Sequence, residues 1–473
     1  MRRWVLNARL ITRDGEALVG HVAVEGAWIA DVVFGPAPRP GILEQVIDAA
    51  GLWLFPGFVD VHVHLREPGQ TEKETIEQGT CAAARGGFAT VVMMPNTDPP
   101  IDRSSLLLEV LRRAARTGRV RTYAAAAITE GQKGQSLVDM AALARLGAVG
   151  FTDDGRGIER SDVMRAALLY ARAVGRPIMM HSEDARLSKG GVFRPEAAPV
   201  RRGVRPWPPE AEAVPLFRDV LLAAETGARY HAMHVSTSLS LEALALGRRL
   251  GADVSAEVTP HHLALAAEDI PDPDVDAGAA KTMEAGRNAG RADAGGMPEK
   301  AGAHAALGVW KMNPPLAPRR DVAALRAALL AGEIEIIATD HAPHTAEEKA
   351  RPIDVSPFGI VGLETAFPLL YTTLVRPNIL PLRLLVRAMS TRPAERFGLP
   401  GGRIAPGEPA DLTLVDLDTP RTVDPRSFCS KGQNTPLAGR ELFGWPVLTV
   451  VGGRLAFVDA SVFGAASLYR RRV

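Results

Sequence analysis

Between residues 55 and 397, eight short apolar runs alternate with Ala/Leu/Arg-rich stretches of helical length, and this alternation constrains the fold more than any other feature. The runs cover residues 58–64, 89–94, 122–128, 148–152, 177–181, 230–235, 253–258 and 334–339. Several are continuously apolar, as strands are when a parallel sheet is covered on both faces. Helical stretches at 104–117, 162–174, 211–226, 240–250 and 322–331 lie between them. Eight strand–helix repeats predict an α/β protein built on a (β/α)₈ TIM barrel.

The flanks read differently. Residues 1–55 and 399–473 carry short alternating segments broken by Gly and Pro, as at 4–11, 21–25, 28–34, 411–415 and 447–457. Together they predict one small β-sandwich domain assembled from both termini around a barrel of residues 56–398. The turn-rich stretches Pro400-Gly401-Gly402 and Pro406-Gly407 mark the second boundary. Residues 271–308 are rich in Gly, Ala and charge without an apolar period. They read as a flexible surface insertion between the seventh and eighth strands, with a lid over the mouth as the alternative.

Composition excludes several classes. A formal charge of +1 gives no electrostatic case for nucleic acid or a membrane surface. The two cysteines, Cys81 and Cys429, lack metal or redox spacing and suggest a reducing cytoplasm. Asn7, Arg9 and Arg13 interrupt any signal-peptide core, and no apolar segment is long enough to span a bilayer.

The chemistry is concentrated where strands end. In a strand, residues two apart share a face, so His62 and His64 project together from an apolar run. Two imidazoles on such a strand are costly to bury unless something binds their nitrogens, and zinc favours imidazole. The alternative is a pair of hydrogen-bonded core histidines. Similar punctuation follows other runs: Asn96 after the second, Asp153-Asp154 after the fourth, His181-Ser182-Glu183-Asp184 after the fifth, His234 in the sixth, and Asp340-His341 after the eighth. Histidines or aspartates ending five of eight strands on one rim point to a metal-centred hydrolase. Four His and two Asp suffice for one or two Zn²⁺ with a position open to water.

These strings resemble the amidohydrolase superfamily, and within it the dihydroorotases that use aspartate where others carry a modified lysine. The matching segments are Asp-Val-His-Val-His-Leu-Arg-Glu-Pro-Gly-Gln (60–70), Met-Pro-Asn-Thr-Asp-Pro-Pro (94–100), Phe-Thr-Asp-Asp-Gly (151–155), His-Ser-Glu-Asp (181–184) and His-Val-Ser-Thr (234–237). Further on come Thr-Pro-His-His-Leu (259–263), Lys-Met-Asn-Pro-Pro-Leu (311–316), Ala-Thr-Asp-His-Ala-Pro-His (338–344), Pro-Phe-Gly-Ile-Val-Gly-Leu-Glu-Thr (357–365) and Asn-Thr-Pro (434–436). The resemblance implies that His62, His64 and Asp340 hold one metal and that His181 and His234 hold a second. Asp154 is implied as the bridging ligand, with Asp153 as the fallback. Related hydantoinases and allantoinases have a carboxylated lysine near this point, whereas residues 147–155 contain no lysine.

The resemblance also implies that Arg66, Asn96 and His344 grip a substrate carboxylate, while Asn313 and the backbone around Gly359 read ring amides. It makes Asp340 the general base and acid in the reversible cyclisation of N-carbamoyl-L-aspartate to L-dihydroorotate, a step of pyrimidine synthesis. Glu183 and Asp184 read as capping and ligand-orienting groups. His261 and His262 read as either orienting or purely structural, and His304, in the insertion, as solvated. Ala317 departs from the arginine that relatives usually carry there. Two rivals are another cyclic-amide hydrolase and an inactive homologue serving as a structural subunit for aspartate transcarbamoylase; the retained ligands count against the second. A homodimer and an association of an active enzyme with that transferase stay open on the resemblance alone.

Overall fold

The computed structural model describes residues 2–12, 15–272 and 307–463; residues 273–306 of the expected insertion, with His304, lie outside the described residues. Five strands open the chain: β1 (Arg2–Ile11), β2 (Ala17–Glu25), β3 (Trp28–Phe34), β4 (Gln45–Asp48) and β5 (Trp53–Pro56). Seven parallel strands follow: β6 (Phe58–Val63), β7 (Phe88–Met93), β8 (Arg121–Ala124), β9 (Ile178–Met180), β10 (Tyr230–Ala232), β11 (Val254–Val258) and β12 (Ile336–Ile337). Every residue of β6, β7 and β11 is buried, including the polar Asp60 and His62 on β6 and Ser255 and Glu257 on β11.

The parallel strands form two sheets, β6-β7-β8 and β12-β11-β10-β9. Phe151 bridges in parallel to Ala126 on one side and to Ile178 on the other, and His341 bridges to Val63. The fourth expected run is laddered on both sides: Val149 N donates to Ala124 O (3.0 Å) and Thr152 N to Ala126 O (2.9 Å), while Phe151 N donates to Pro177 O (3.1 Å) and Phe151 O accepts Met179 N (2.8 Å). Gly150 permits close approach to the next strand, since a Cβ there would stand 2.7 Å from Met179 Sδ. Helices Ser104–Thr117, Ser161–Ala173, Glu210–Thr226, Ser238–Arg249 and Arg319–Ala331 match the periodic stretches to within a few residues. The core beneath β6 is aromatic: Phe58 stacks on Phe367 at 5.1 Å and meets Phe88 edge-on at 5.7 Å. Truncating a phenylalanine so packed costs about 3–5 kcal/mol.

The chain closes with β13 (Leu412–Asp416), the short pair β14 (Arg421–Thr422) and β15 (Glu441–Leu442), then β16 (Trp445–Val451) and β17 (Arg454–Val458). Both ends of the chain enter one eight-stranded sheet ordered β17-β16-β13-β5-β1-β2-β3, with β4 on β1. Its junction is the antiparallel pairing of β5 with β13. Val22, Val24 and Ile29 share one buried cluster with Leu412, Leu448 and Val450, so residues from distant strands of this sheet pack together. Among the described residues, no helix is long and apolar enough to cross a membrane.

Candidate active site

Strand alternation carries His62 and His64 to the same side of β6 and its end, and both side chains are buried. Around them the ends of other strands bring Asp154, His181, His234 and Asp340. His64 Nε2 lies 2.9 Å from Asp340 Oδ1 and 3.5 Å from Asp154 Oδ2. His62 Nε2 lies 3.4 Å from Asp340 Oδ1 and 3.8 Å from Asp154 Oδ1. His181 Nδ1 is 2.9 Å from His234 Nε2 and 3.8 Å from Asp154 Oδ1. The structure therefore brings all six sequence-derived candidates into one cluster. His234, Asp340 and the nearby Arg66 have positive φ values of 33°, 48° and 60°. Non-glycine residues hold such backbone at a cost of about 1–3 kcal/mol each, and such strain gathers at functional sites.

The two adjacent aspartates separate cleanly. Asp153 turns away: it accepts the backbone N–H groups of Ile128 (2.8 Å) and Thr129 (3.1 Å) and the Thr129 hydroxyl. Asp154 faces the imidazoles and accepts Asn96 Nδ2 at 2.9 Å.

This donor set fits a divalent cation. His62 Nε2 and His234 Nδ1 are buried without a hydrogen-bond partner, an arrangement that is costly unless something else binds them. Donor atoms of His62, His64 and Asp340 lie within 4.8 Å of one another, as do those of His62, Asp154 and His234. Electrostatics agree. Burial pushes the His62 pKa down, but Glu257, Asp340 and Asp154 overcome it and raise it to about 10. Burial likewise works against ionised Asp340, yet His62 and His64 hold its carboxyl well below the usual range. The pocket is built to hold positive charge.

The histidines are oriented from behind. His62 donates from Nδ1 to Glu257 Oε1 at 2.6 Å, and Glu257 Oε2 lies 3.0 Å from His231 Nε2. His181 Nε2 donates to Glu183 Oε2 (2.8 Å), which also accepts Asn313 Nδ2 (2.7 Å). Asp60 accepts the N–H groups of His62 (3.0 Å) and Thr339 (3.2 Å), tying β6 to the strand end that carries Asp340. Sequence reasoning gave no role to Glu257 or Asp60. The available signal was a carboxylate inside a continuously buried strand, a place where such groups are rare unless partnered.

The expected substrate groups gather beside the cluster. Arg66 is buried, donates from Nε to Pro343 O (3.2 Å) and lies 3.2 Å from His344 Nε2. Burial, with Arg66 and Lys349 nearby, keeps the His344 imidazole neutral. Gly359 has φ +127°, and a Cβ on it would stand 2.7 Å from Ala342 Cβ and 3.2 Å from His344 Nε2, so only glycine fits. Asn313 leaves its Oδ1 buried without a partner. Asn96 is more engaged than expected: its amide accepts from His64 Nδ1 (2.9 Å) while donating to Asp154. His262 is structural, bound to Thr259 Oγ1 (2.8 Å) and Pro314 O (3.0 Å). His261 is buried with Nε2 unpartnered. Ala317 is buried in one cluster with Ala266 and Val322.

A family model described as Dihydro-orotase-like matches residues 51–240. The chain is 45% identical over 454 residues to a protein of Geobacillus kaustophilus named dihydroorotase, covering 96% of this chain and 98% of that one. A Bacillus caldolyticus protein of the same name matches to the same extent. Among solved structures, an L-hydantoinase (dihydropyrimidinase) from Arthrobacter aurescens superimposes with a TM-score of 0.79 at 24% identity, covering 97% of this chain and 96% of that one, a likeness of fold.

Proposed function

This chain belongs to the dihydroorotase family, and from that premise we propose that the histidine–aspartate cluster is the centre at which it opens and closes the ring of L-dihydroorotate. It is a cyclic-amide hydrolase working in pyrimidine synthesis, in the cytoplasm by our reading. The observation that carries the site assignment is the buried, unpartnered Nε2 of His62 facing Asp340, Asp154 and His64.

On this reading His62, His64 and Asp340 would hold one ion and His181 and His234 a second, with Asp154 available to either. Imidazole and carboxylate donors favour zinc. A divalent ion held there would supply hydroxide near neutral pH and polarise an amide carbonyl. Asp340 accepts the proton of the attacking water and returns it to the departing ring nitrogen, a base becoming an acid. Arg66, through its planar guanidinium, binds the exocyclic carboxylate together with Asn96 and His344. Asn313, through its free Oδ1, and the backbone at Phe358–Gly359 bind the ring amides. Holding the substrate at both ends sets its carbonyl in line for attack.

We also read the two parallel sheets and their bridging residues as the wall of one (β/α)₈ barrel spanning 56–398. The terminal sheet is then a sandwich folded on itself, which its shared core supports.

The test is turnover on a panel of L-dihydroorotate, hydantoin, dihydrouracil and allantoin, with Asp340→Asn alongside. Selective hydrolysis of L-dihydroorotate, lost in Asp340→Asn, is expected. Preference for a ring without a carboxylate would refute the role of Arg66.

A further inference from the structure

Two lysines lie outside the machinery described above, and both are buried: Lys311 is 1% exposed and Lys349 3%. Neither forms an ion pair with a carboxylate among the described residues. Their ammonium groups go to main-chain carbonyls instead. Lys349 Nζ donates to Pro357 O (2.8 Å), Gly359 O (2.9 Å) and Lys311 O (3.1 Å). Lys311 Nζ donates to Ile353 O (2.5 Å) and Asp354 O (3.2 Å) and lies 4.5 Å over the Phe358 ring.

A buried ammonium without a carboxylate is an expensive way to stabilise a loop. Burial, reinforced by Lys311 and Arg66 and opposed by Glu348, pulls the Lys349 pKa down to about 7. Apolar side chains would fill the same volume at lower cost, but they could not bind five carbonyls. The carbonyls they bind belong to one irregular segment, residues 353–359, and to Lys311 itself. That segment ends on the substrate side of the site. Phe358 O lies 2.8 Å from His344 Nε2, and Gly359 N donates to Lys311 O at 2.9 Å. Asn434 completes the frame, donating to Gly359 O (3.0 Å) and Ala342 O (3.0 Å) and accepting His344 N (3.1 Å).

We propose that Lys349 and Lys311 are positioning residues: their ammonium–carbonyl bonds set the 353–359 backbone, and through it His344 and Gly359, for binding the substrate. This inference rests on the functional reading above. None of these bonds runs to the metal-ligating cluster, so loss of a lysine should weaken substrate binding and leave the chemistry and the metal in place.

The experiment measures kcat, KM and metal content for dihydroorotate hydrolysis by wild type, Lys349→Met, His344→Ala and the double variant. Lys349→Met should raise KM by about tenfold or more, with kcat within about threefold, the pattern of lost ground-state binding. Its metal content should equal that of wild type. Because the lysine acts partly through His344, its effect on kcat/KM should be smaller in the His344→Ala background than in wild type. A merely structural lysine would not give that non-additivity. Unchanged KM, full additivity, or joint loss of kcat and metal would each overturn the proposal. Should Lys349→Met fail to fold, Lys311→Met, which removes only two carbonyl bonds, carries the same test, and a wild-type KM there overturns it. Wild type inert on dihydroorotate would refute the functional reading itself, whereas active wild type with an unaffected lysine variant refutes only this inference.

Discussion

His62 Nδ1 and Glu257 Oε1 are 2.6 Å apart, and this buried bond fixes which nitrogen of His62 faces Asp340 and Asp154. A carboxylate can only accept, so the proton is on Nδ1 and Nε2 is left as a ligand. Glu257 is held ionised: burial would raise its pKa, but His62 and His231 bring it to about 2. Glu257→Gln should therefore lower metal affinity by about 10- to 100-fold while the protein stays folded. Competition against a chromophoric chelator measures it, and an unchanged affinity would remove Glu257 from the account.

Asp153 and Asp154 should fail in different ways. Asp154→Asn removes a charge that faces three imidazoles and should abolish metal retention and turnover together. Asp153→Asn weakens buried bonds to the 128–129 backbone and should cost about 1–3 kcal/mol of stability with metal retained. Elemental analysis and thermal melts on both variants decide it.

Arg66→Lys should raise KM for L-dihydroorotate by about 10- to 100-fold, the equivalent of about 1.5–3 kcal/mol for a charge-assisted contact. The drop in kcat should be much smaller. Steady-state kinetics distinguish this from a role in the chemical step, which would lower kcat and leave KM.

Glu364 supplies a pH prediction away from the site. Burial raises its carboxyl from an ordinary value near 4.5 to about 8, against the pull of Arg85 at 3.3 Å. A pKa raised on folding gives stability that is fully present below the unfolded value and lost as pH rises through the folded one. The wild type should thus lose stability between about pH 4.5 and 8 through this group. Glu364→Gln keeps an acceptor for the N–H groups of Cys429 (2.9 Å) and Ser430 (3.2 Å) but does not titrate. Its Tm advantage over wild type should grow from pH 5 to pH 8.5, by on the order of 1.4 kcal/mol for each unit of separation crossed. A difference independent of pH would contradict the assignment.

What could be read ahead of the structure was whatever depends on local spacing. The apolar runs were legible because buried parallel strands need no polar face, and His62 and His64 because a strand repeats every two residues. The fourth run, 148–152, was legible for the same reason, and its backbone bonds to 124–126 on one side and 177–179 on the other. Adjacent aspartates were inseparable in sequence because their difference is one of direction: one meets the 128–129 amides, the other the imidazoles. Glu257 stayed hidden because its partner is 195 residues away, and Lys349 because its partners are carbonyls, which any sequence offers. Asn96 was legible as a site residue, but not its amide spanning His64 and Asp154.

On this reading, hydrolysis of L-dihydroorotate requires a metal held by the His62–Asp340 cluster. The most direct test is elemental analysis of the purified protein, with dihydroorotate hydrolysis assayed before chelation, after it, and after zinc is restored. One or two zinc ions per chain, with activity that disappears and returns with the metal, is the predicted result. A metal-free protein that hydrolyses L-dihydroorotate at full rate would contradict it.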